Sequence, residues 1–237
     1  MKLSTNNISW ILCLMISISC DSRNQKPFSS DLMSYCQSLP NEFISVPDST
    51  RKTLIKAGEY IITQLNNWES AKICFVCQHN SRKSHLGQVW TEIACLYYRF
   101  EDVNSYSGGI TSTYVNWRII TALENTGFRI SQNEDILGKP IYYLDYGDPS
   151  VNIELFSKRY NHPGNPDTNY LAISLCNNPE ECCPISLGAD EQLTIPYDDL
   201  QEFDNTTLES MKYDEQCRII ARDMFFMMDY VNQNMSQ

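Results

Sequence analysis

Cys77-Gln78-His79-Asn80-Ser81-Arg82-Lys83-Ser84 is the stretch on which the fold turns. Ahead of it stands the short apolar run Ile73-Cys74-Phe75-Val76. Behind it, from His85 to Phe100, Leu86, Val89, Trp90, Ile93 and Leu96 recur at helical spacing. The whole reads as strand, tight loop, helix. Such a unit leaves the loop's backbone N–H groups at a helix N-terminus, a place suited to a tetrahedral oxyanion. A thiol at the base of the loop shares that positive end, which favours the nucleophilic thiolate form. Cys77 is therefore the candidate nucleophile.

Upstream of this unit, Leu54, Ile55, Ala57, Tyr60, Ile61, Ile62, Leu65 and Trp68 predict an amphipathic helix within residues 48–70, capped by Asp48 or Ser49. Residues 21–47, with Pro27, Pro40 and Pro47 among Ser and Asn, read as a tether with little regular structure. Residues 1–20 carry Lys2, an apolar segment from Ile8 to Ser19, and Cys20. This is signal-peptide anatomy, too short to span a bilayer. It resembles a bacterial lipoprotein signal with Cys20 as the lipidated residue. The expectation is export and a lipid anchor on a bacterial membrane, the alternative being a cytoplasmic chain.

Downstream, Val103 to Ser107 before Gly108-Gly109 predicts a second strand, Tyr114 to Thr126 a helix stopped by Gly127, and Pro140 to Tyr146 a third strand. Gly147 to Asn169 is expected to hold loops and a short helix around Phe156. Tyr170 to Cys176 is nearly all apolar and predicts a fourth strand, of the buried parallel kind. Leu208 to Val231 is in helical register. Strands alternating with helices predict an α/β fold over residues 71–237, an open four-stranded parallel sheet with helices on both faces. Ligands of such sheets sit at the carboxyl ends of the strands, where Cys77, Gly108 and Cys176 fall.

The 237 residues fit one domain plus an N-terminal extension. With 18 basic and 29 acidic residues the formal charge is −11, which argues against nucleic acid as a partner. The ten Cys form no paired set at zinc spacing, since Cys74 and Cys77 make a lone C-x-x-C, so no metal is expected.

The loop resembles the phosphate-binding loop of low-molecular-weight protein tyrosine phosphatases and of their relatives, the thioredoxin-coupled arsenate reductases. The resemblance covers roughly residues 71–231. It implies Cys77 as nucleophile, backbone N–H groups from Gln78, His79, Asn80, Ser81 and Arg82 through Ser84 around the oxyanion, Asn80 holding the loop's conformation, and a Ser84 hydroxyl on the thiolate. It also implies an acid after the fourth strand that protonates the leaving oxygen: Asp199, or next to it Asp198. Asp148-Pro149 has the family's dipeptide but precedes that strand. The reductase branch uses two more Cys at C-x6-C before Pro, matched here by Cys176, Cys183 and Pro184. Cys176 would attack the Cys77 adduct and Cys183 would resolve the disulfide, with thioredoxin as reductant. Otherwise no cofactor is implied. Cys13, Cys36, Cys74, Cys95 and Cys217 are expected to be inert, and His79 to be a loop residue.

The pattern breaks at Lys83. The family's loop has Arg there, whose fork grips two oxygens, and Lys supplies only a point charge. Gln88 also stands where the reductase branch often has Glu. Three expectations follow: a hydrolase of phosphomonoesters, such as a phosphorylated protein or a small aryl phosphate, using Cys77, Lys83 and Asp199; an arsenate reductase using Cys77, Cys176 and Cys183; or an oxyanion- or phosphoprotein-binding domain that lost turnover with the Arg.

Overall fold

The computed structural model describes residues 28–148, 151–177 and 188–235. In chain order the helices are α1 (Ser30–Ser38), α2 (Asp48–Asn66), α3 (Lys83–Tyr98), α4 (Trp117–Glu124) and α5 (Glu209–Met235). The strands are β1 (Ala71–Cys77), β2 (Val103–Gly109), β3 (Arg129–Glu134), β4 (Pro140–Asp145), β5 (Asn152–Leu155), β6 (Leu171–Ser174) and β7 (Glu191–Thr194).

The apolar run before Cys77 becomes an inner strand. β1 pairs in parallel with β2 on one side and β6 on the other, and β6 pairs in parallel with β7, giving the order β2-β1-β6-β7. The register sets Cys77 beside Gly109, so β1 and β2 finish together at the carboxyl end of the sheet. The expected four-stranded parallel α/β sheet is present, with a different membership. Pro140–Asp145 is not its third strand. It lies in a separate antiparallel sheet, order β3-β4-β5. Its buried Tyr142 and Leu144 alternate with more open neighbours, the pattern of a sheet packed on one face. The fourth parallel strand is β7, whose sequence Glu-Gln-Leu-Thr carries no apolar run. Around Phe156 the expected short helix is absent, and Asn152–Leu155 is strand.

Ile73 and Phe75 face a core shared with all five helices. Trp90 of α3 is its hub, fully buried, stacked on Tyr35 at 5.2 Å between centroids and donating its indole N–H to Cys217 Sγ at 3.3 Å. Gly87 lets α3 lie close on the strand, since a Cβ there would meet the Phe75 ring at 2.7 Å. Cys74 and Val76 point to the opposite face. There they pack with Tyr106, Ile110, Tyr160, Tyr170 and Ala189.

The tether also differs from its reading. Ser29 caps α1 by accepting from the Leu32 N–H, and a 3₁₀ turn follows over Leu39–Ser45. Leu32, Cys36 and Leu39 are fully buried. Three apolar residues are too few to announce a helix, and the core that buries this segment is built from elements remote in sequence. Arg218 of α5 secures it through Ser38 and Glu42. The signal-like segment and Cys20 lie outside the described residues. Among the described residues no helix is long and apolar enough to cross a membrane.

Candidate active site

The loop after β1 folds into a cradle because its carbonyls are engaged from outside. The carbonyls of Cys77, Gln78 and Ser81 accept the N–H groups of Ile110, Thr111 and Asn116 at 3.2, 2.9 and 2.9 Å. The His79 carbonyl accepts the Ser157 hydroxyl at 3.1 Å. The N–H groups from Gln78 to Ser84 have no hydrogen-bond partner among the described residues. Unpaired donors gathered at the start of α3 are what an oxyanion requires. Gly109 permits the closeness, since a Cβ there would come within 2.6 Å of the Asn80 nitrogen.

Asn80 holds the turn. Its φ is +44°, in the left-handed region that Asn tolerates better than most residues, and it is fully buried. Its side chain accepts the Lys158 N–H at 2.8 Å and donates to Ser84 Oγ at 2.9 Å. Ser84 Oγ lies 3.0 Å from Cys77 Sγ. Because Ser84 already accepts from Asn80, its own proton is available to a Cys77 thiolate. His85, fully buried, sits behind the loop with Nε2 2.9 Å from the Asn80 carbonyl and Nδ1 3.2 Å from Ser107 Oγ. A carbonyl only accepts, so Nε2 carries the proton and Nδ1 accepts from Ser107. Burial, and then the nearby Lys158 charge, lower the imidazole's pKa to about 3. His85 is thus a neutral structural strut. Burial likewise pushes the Cys74 thiol up to about 12, consistent with an inert role.

A cavity of about 230 Å³ is lined by Cys77, Gln78, His79, Ser81, Arg82 and Lys83 together with Cys176, Asn177, Asp198, Asp199, Leu200 and Gln216. The structure therefore brings together Cys77, both acid candidates and Cys176. Asp199 accepts the Gln201 N–H at 3.0 Å, capping a 3₁₀ turn over Leu200–Phe203, and is open to solvent. Asp148 is not among the lining residues, Pro149 lies outside the described residues, and so does Cys183 with Pro184. Cys77 and Cys176 are both buried. His79 is exposed, its Nδ1 2.9 Å from Thr111 Oγ1.

The two basic residues of the loop diverge. Lys83 donates to the Tyr197 carbonyl at 2.7 Å. Arg82 pairs with Asp204 at 2.8 Å and more distantly with Asp199 at 3.8 Å. The Tyr197 hydroxyl donates to the buried Asp223 at 2.8 Å, and Arg222 holds the same carboxylate from 2.7 Å. Burial raises the Asp223 pKa while Arg222 pulls it back. The segment carrying Asp198 and Asp199 is thereby fixed at one end to α5 and at the other to the loop. Tyr197, Asp204, Asp223 and Lys158 were not singled out from the sequence. Their partners are far away along the chain, and no local spacing marks them.

No protein-family model matches the chain, and no curated protein matches it. Among solved structures it is similar to an arsenate reductase in a phosphate-binding state, at 16% identity over 69% of this chain and 98% of that one, with a TM-score of 0.41. A low-molecular-weight phosphotyrosine phosphatase from Vibrio cholerae O395 gives 11%, 67%, 95% and 0.43 for the same quantities. A thioredoxin-dependent arsenate reductase from Corynebacterium glutamicum gives 13%, 87%, 98% and 0.35.

Proposed function

We propose that the chain hydrolyses phosphomonoesters, aryl phosphates first among them, through a covalent phosphocysteine on Cys77. One observation carries this: Cys77 Sγ, 3.0 Å from the Ser84 hydroxyl, lies at the base of a ring of unpaired N–H groups, and Asp199 lines the same cavity. The Cys77 thiolate attacks phosphorus, the bond to the leaving oxygen breaks, and Asp199 gives that oxygen a proton. Water then attacks phosphorus, Asp199 takes its proton, and inorganic phosphate leaves as the thiolate is restored. The loop N–H groups balance the charge on the three equatorial oxygens. In the full chain, release of phosphate from an aryl phosphate should vanish in Cys77→Ser. Release that persists in that variant rejects the reading.

A second reading is favoured by Cys176, which lines the same cavity as Cys77. Arsenate would lose one oxygen as water on forming a bond to Cys77 Sγ. Cys176 would then attack Cys77 Sγ, the sulfur–arsenic bond would break with its electrons on arsenic, and arsenite would leave. The Cys77–Cys176 disulfide would pass to Cys183 and then to a dithiol reductant of the thioredoxin class. Cys176→Ser should abolish arsenate-dependent oxidation of that reductant while leaving ester hydrolysis intact. Unchanged oxidation in Cys176→Ser excludes this branch.

A further inference from the structure

The loop carries two adjacent cations, and the structure gives them different surroundings. Lys83 occupies the position where the resembling family has its guanidinium, yet its Nζ donates to the Tyr197 carbonyl at 2.7 Å. That contact joins the loop to the segment of Asp198 and Asp199, and it leaves one fewer charge directed at an anion. Arg82 also lines the cavity. One end of its fork holds Asp204 at 2.8 Å. Its Nη1 stands 3.8 Å from Asp199, too far for a hydrogen bond. Its Nε is buried with no hydrogen-bond partner among the described residues. A buried, unsatisfied guanidinium N–H is costly, and an oxyanion would relieve it.

We propose that the side chain of Arg82 is the guanidinium that grips the oxyanion, and that Lys83 is a positioning residue that sets the acid segment. This rests on the reading of the loop as an oxyanion site and adds a division of labour to it. Asp204 holds Arg82 in place beside the cavity in the empty state. An arriving dianion offers the unpaired Nε an acceptor, on the edge of the guanidinium that Nε shares with Nη2. The planar fork can present two parallel donors, which an ammonium cannot. The single role of the family's arginine is here shared between neighbours.

The test uses inorganic phosphate as probe and alkylation of Cys77 by iodoacetamide as readout, on the full chain. Phosphate in the cradle shields Cys77, and the concentration giving half protection reports binding. Arg82→Gln should raise that concentration by about 10- to 100-fold, the worth of a charge-assisted hydrogen-bonded pair. Lys83→Met should move it less than about threefold while lowering kcat for an aryl phosphate, because it frees the acid segment and spares the grip. Since Arg82→Gln also loses an ion pair, Asp204→Asn serves as the second variant: it releases Arg82 toward the anion and should lower the half-protecting concentration. The proposal is overturned if Arg82→Gln leaves protection unchanged, if Lys83→Met weakens it as much as Arg82→Gln does, or if Asp204→Asn weakens it. Absence of any protection in the native chain would reject both the oxyanion site and this assignment, a result distinct from native protection that ignores Arg82.

Discussion

Ser84 shows how much of the proposed chemistry rests on one hydroxyl. It receives the Asn80 amide at 2.9 Å and faces Cys77 Sγ at 3.0 Å, so it links the loop's shape to the nucleophile. Ser84→Ala should lower kcat for an aryl phosphate by about ten- to a hundredfold, the effect of removing one hydrogen bond to a charged group. Its effect on unfolding should stay near 1 kcal/mol, measured by denaturant titration. A kcat within a factor of about two of native would show that the hydroxyl does not serve the thiolate. On the proposed mechanism Asp199 acts differently, because the oxygen it would protonate has a need that varies with the ester. Asp199→Asn should slow the first-turnover release of poor leaving groups by about 10²–10⁴ and of good ones far less. Equal slowing of both would assign Asp199 to structure. Of these residues, the loop was legible from the sequence because its chemistry is contiguous. The positions of Lys83 and Arg82 were not, since their partners Tyr197 and Asp204 are 114 and 122 residues away.

At the scale of elements, the carboxyl ends of β1 and β2 form a single device. Gly109 stands beside Cys77 in the register, and the loop backbone passes so near that a Cβ would contact both the Thr111 carbonyl and the Asn80 nitrogen. Gly109→Ala should therefore cost about 1–3 kcal/mol of stability and abolish phosphate protection of Cys77. Gly164→Ala is the control, its Cβ meeting only the His162 ring at 3.2 Å. Normal protection in Gly109→Ala would show that the cradle does not depend on this approach. Elements with strong local signals were readable in advance: β1, α3 and α5 each carry long apolar patterns. Strand β7 was hidden because an edge strand of Glu-Gln-Leu-Thr needs neither face buried, and α1 because its two buried residues, Leu32 and Cys36, join a core built from elements remote in sequence. Pro140–Asp145 had the right length and composition for a strand. Only its alternating burial assigns it to the antiparallel sheet, and burial is a tertiary property.

At the scale of the whole molecule, two titratable groups on α3, the half-buried Glu92 and the buried His85, oppose each other. Burial raises the Glu92 carboxyl to about 7. An unfolded glutamate releases its proton near 4.3, so between these values the folded chain binds the extra proton and stability falls as pH rises. The slope reaches about 1.4 kcal/mol per pH unit. His85 is lowered to about 3, against roughly 6.5 when unfolded, so its share of stability is present above about 6.5 and is lost as pH falls through that window. Glu92→Gln should therefore stabilise the protein relative to native at about pH 8 and much less at about pH 4.5, read from denaturant midpoints. An equal difference at both pH values would remove the Glu92 carboxyl from the account. The compartment bears on the choice between hydrolysis and arsenate reduction, because a thioredoxin-class reductant is scarce outside the cytoplasm. A mature chain that begins with lipidated Cys20, seen by intact-mass spectrometry, would favour hydrolysis; an intact Met1 without lipid would favour the reductase.

The central claim is that Cys77 carries the phosphoryl group, and the most direct measurement looks for it there. The full chain is mixed with an aryl phosphate, quenched in acid within the first turnover and digested, and the peptide containing Cys77 is weighed. The account predicts one added phosphoryl group on Cys77, more of it in Asp199→Asn with a good leaving group, because breakdown then lacks its base. Product release without any phosphoryl group on that peptide, or a phosphoryl group on another residue, would contradict it.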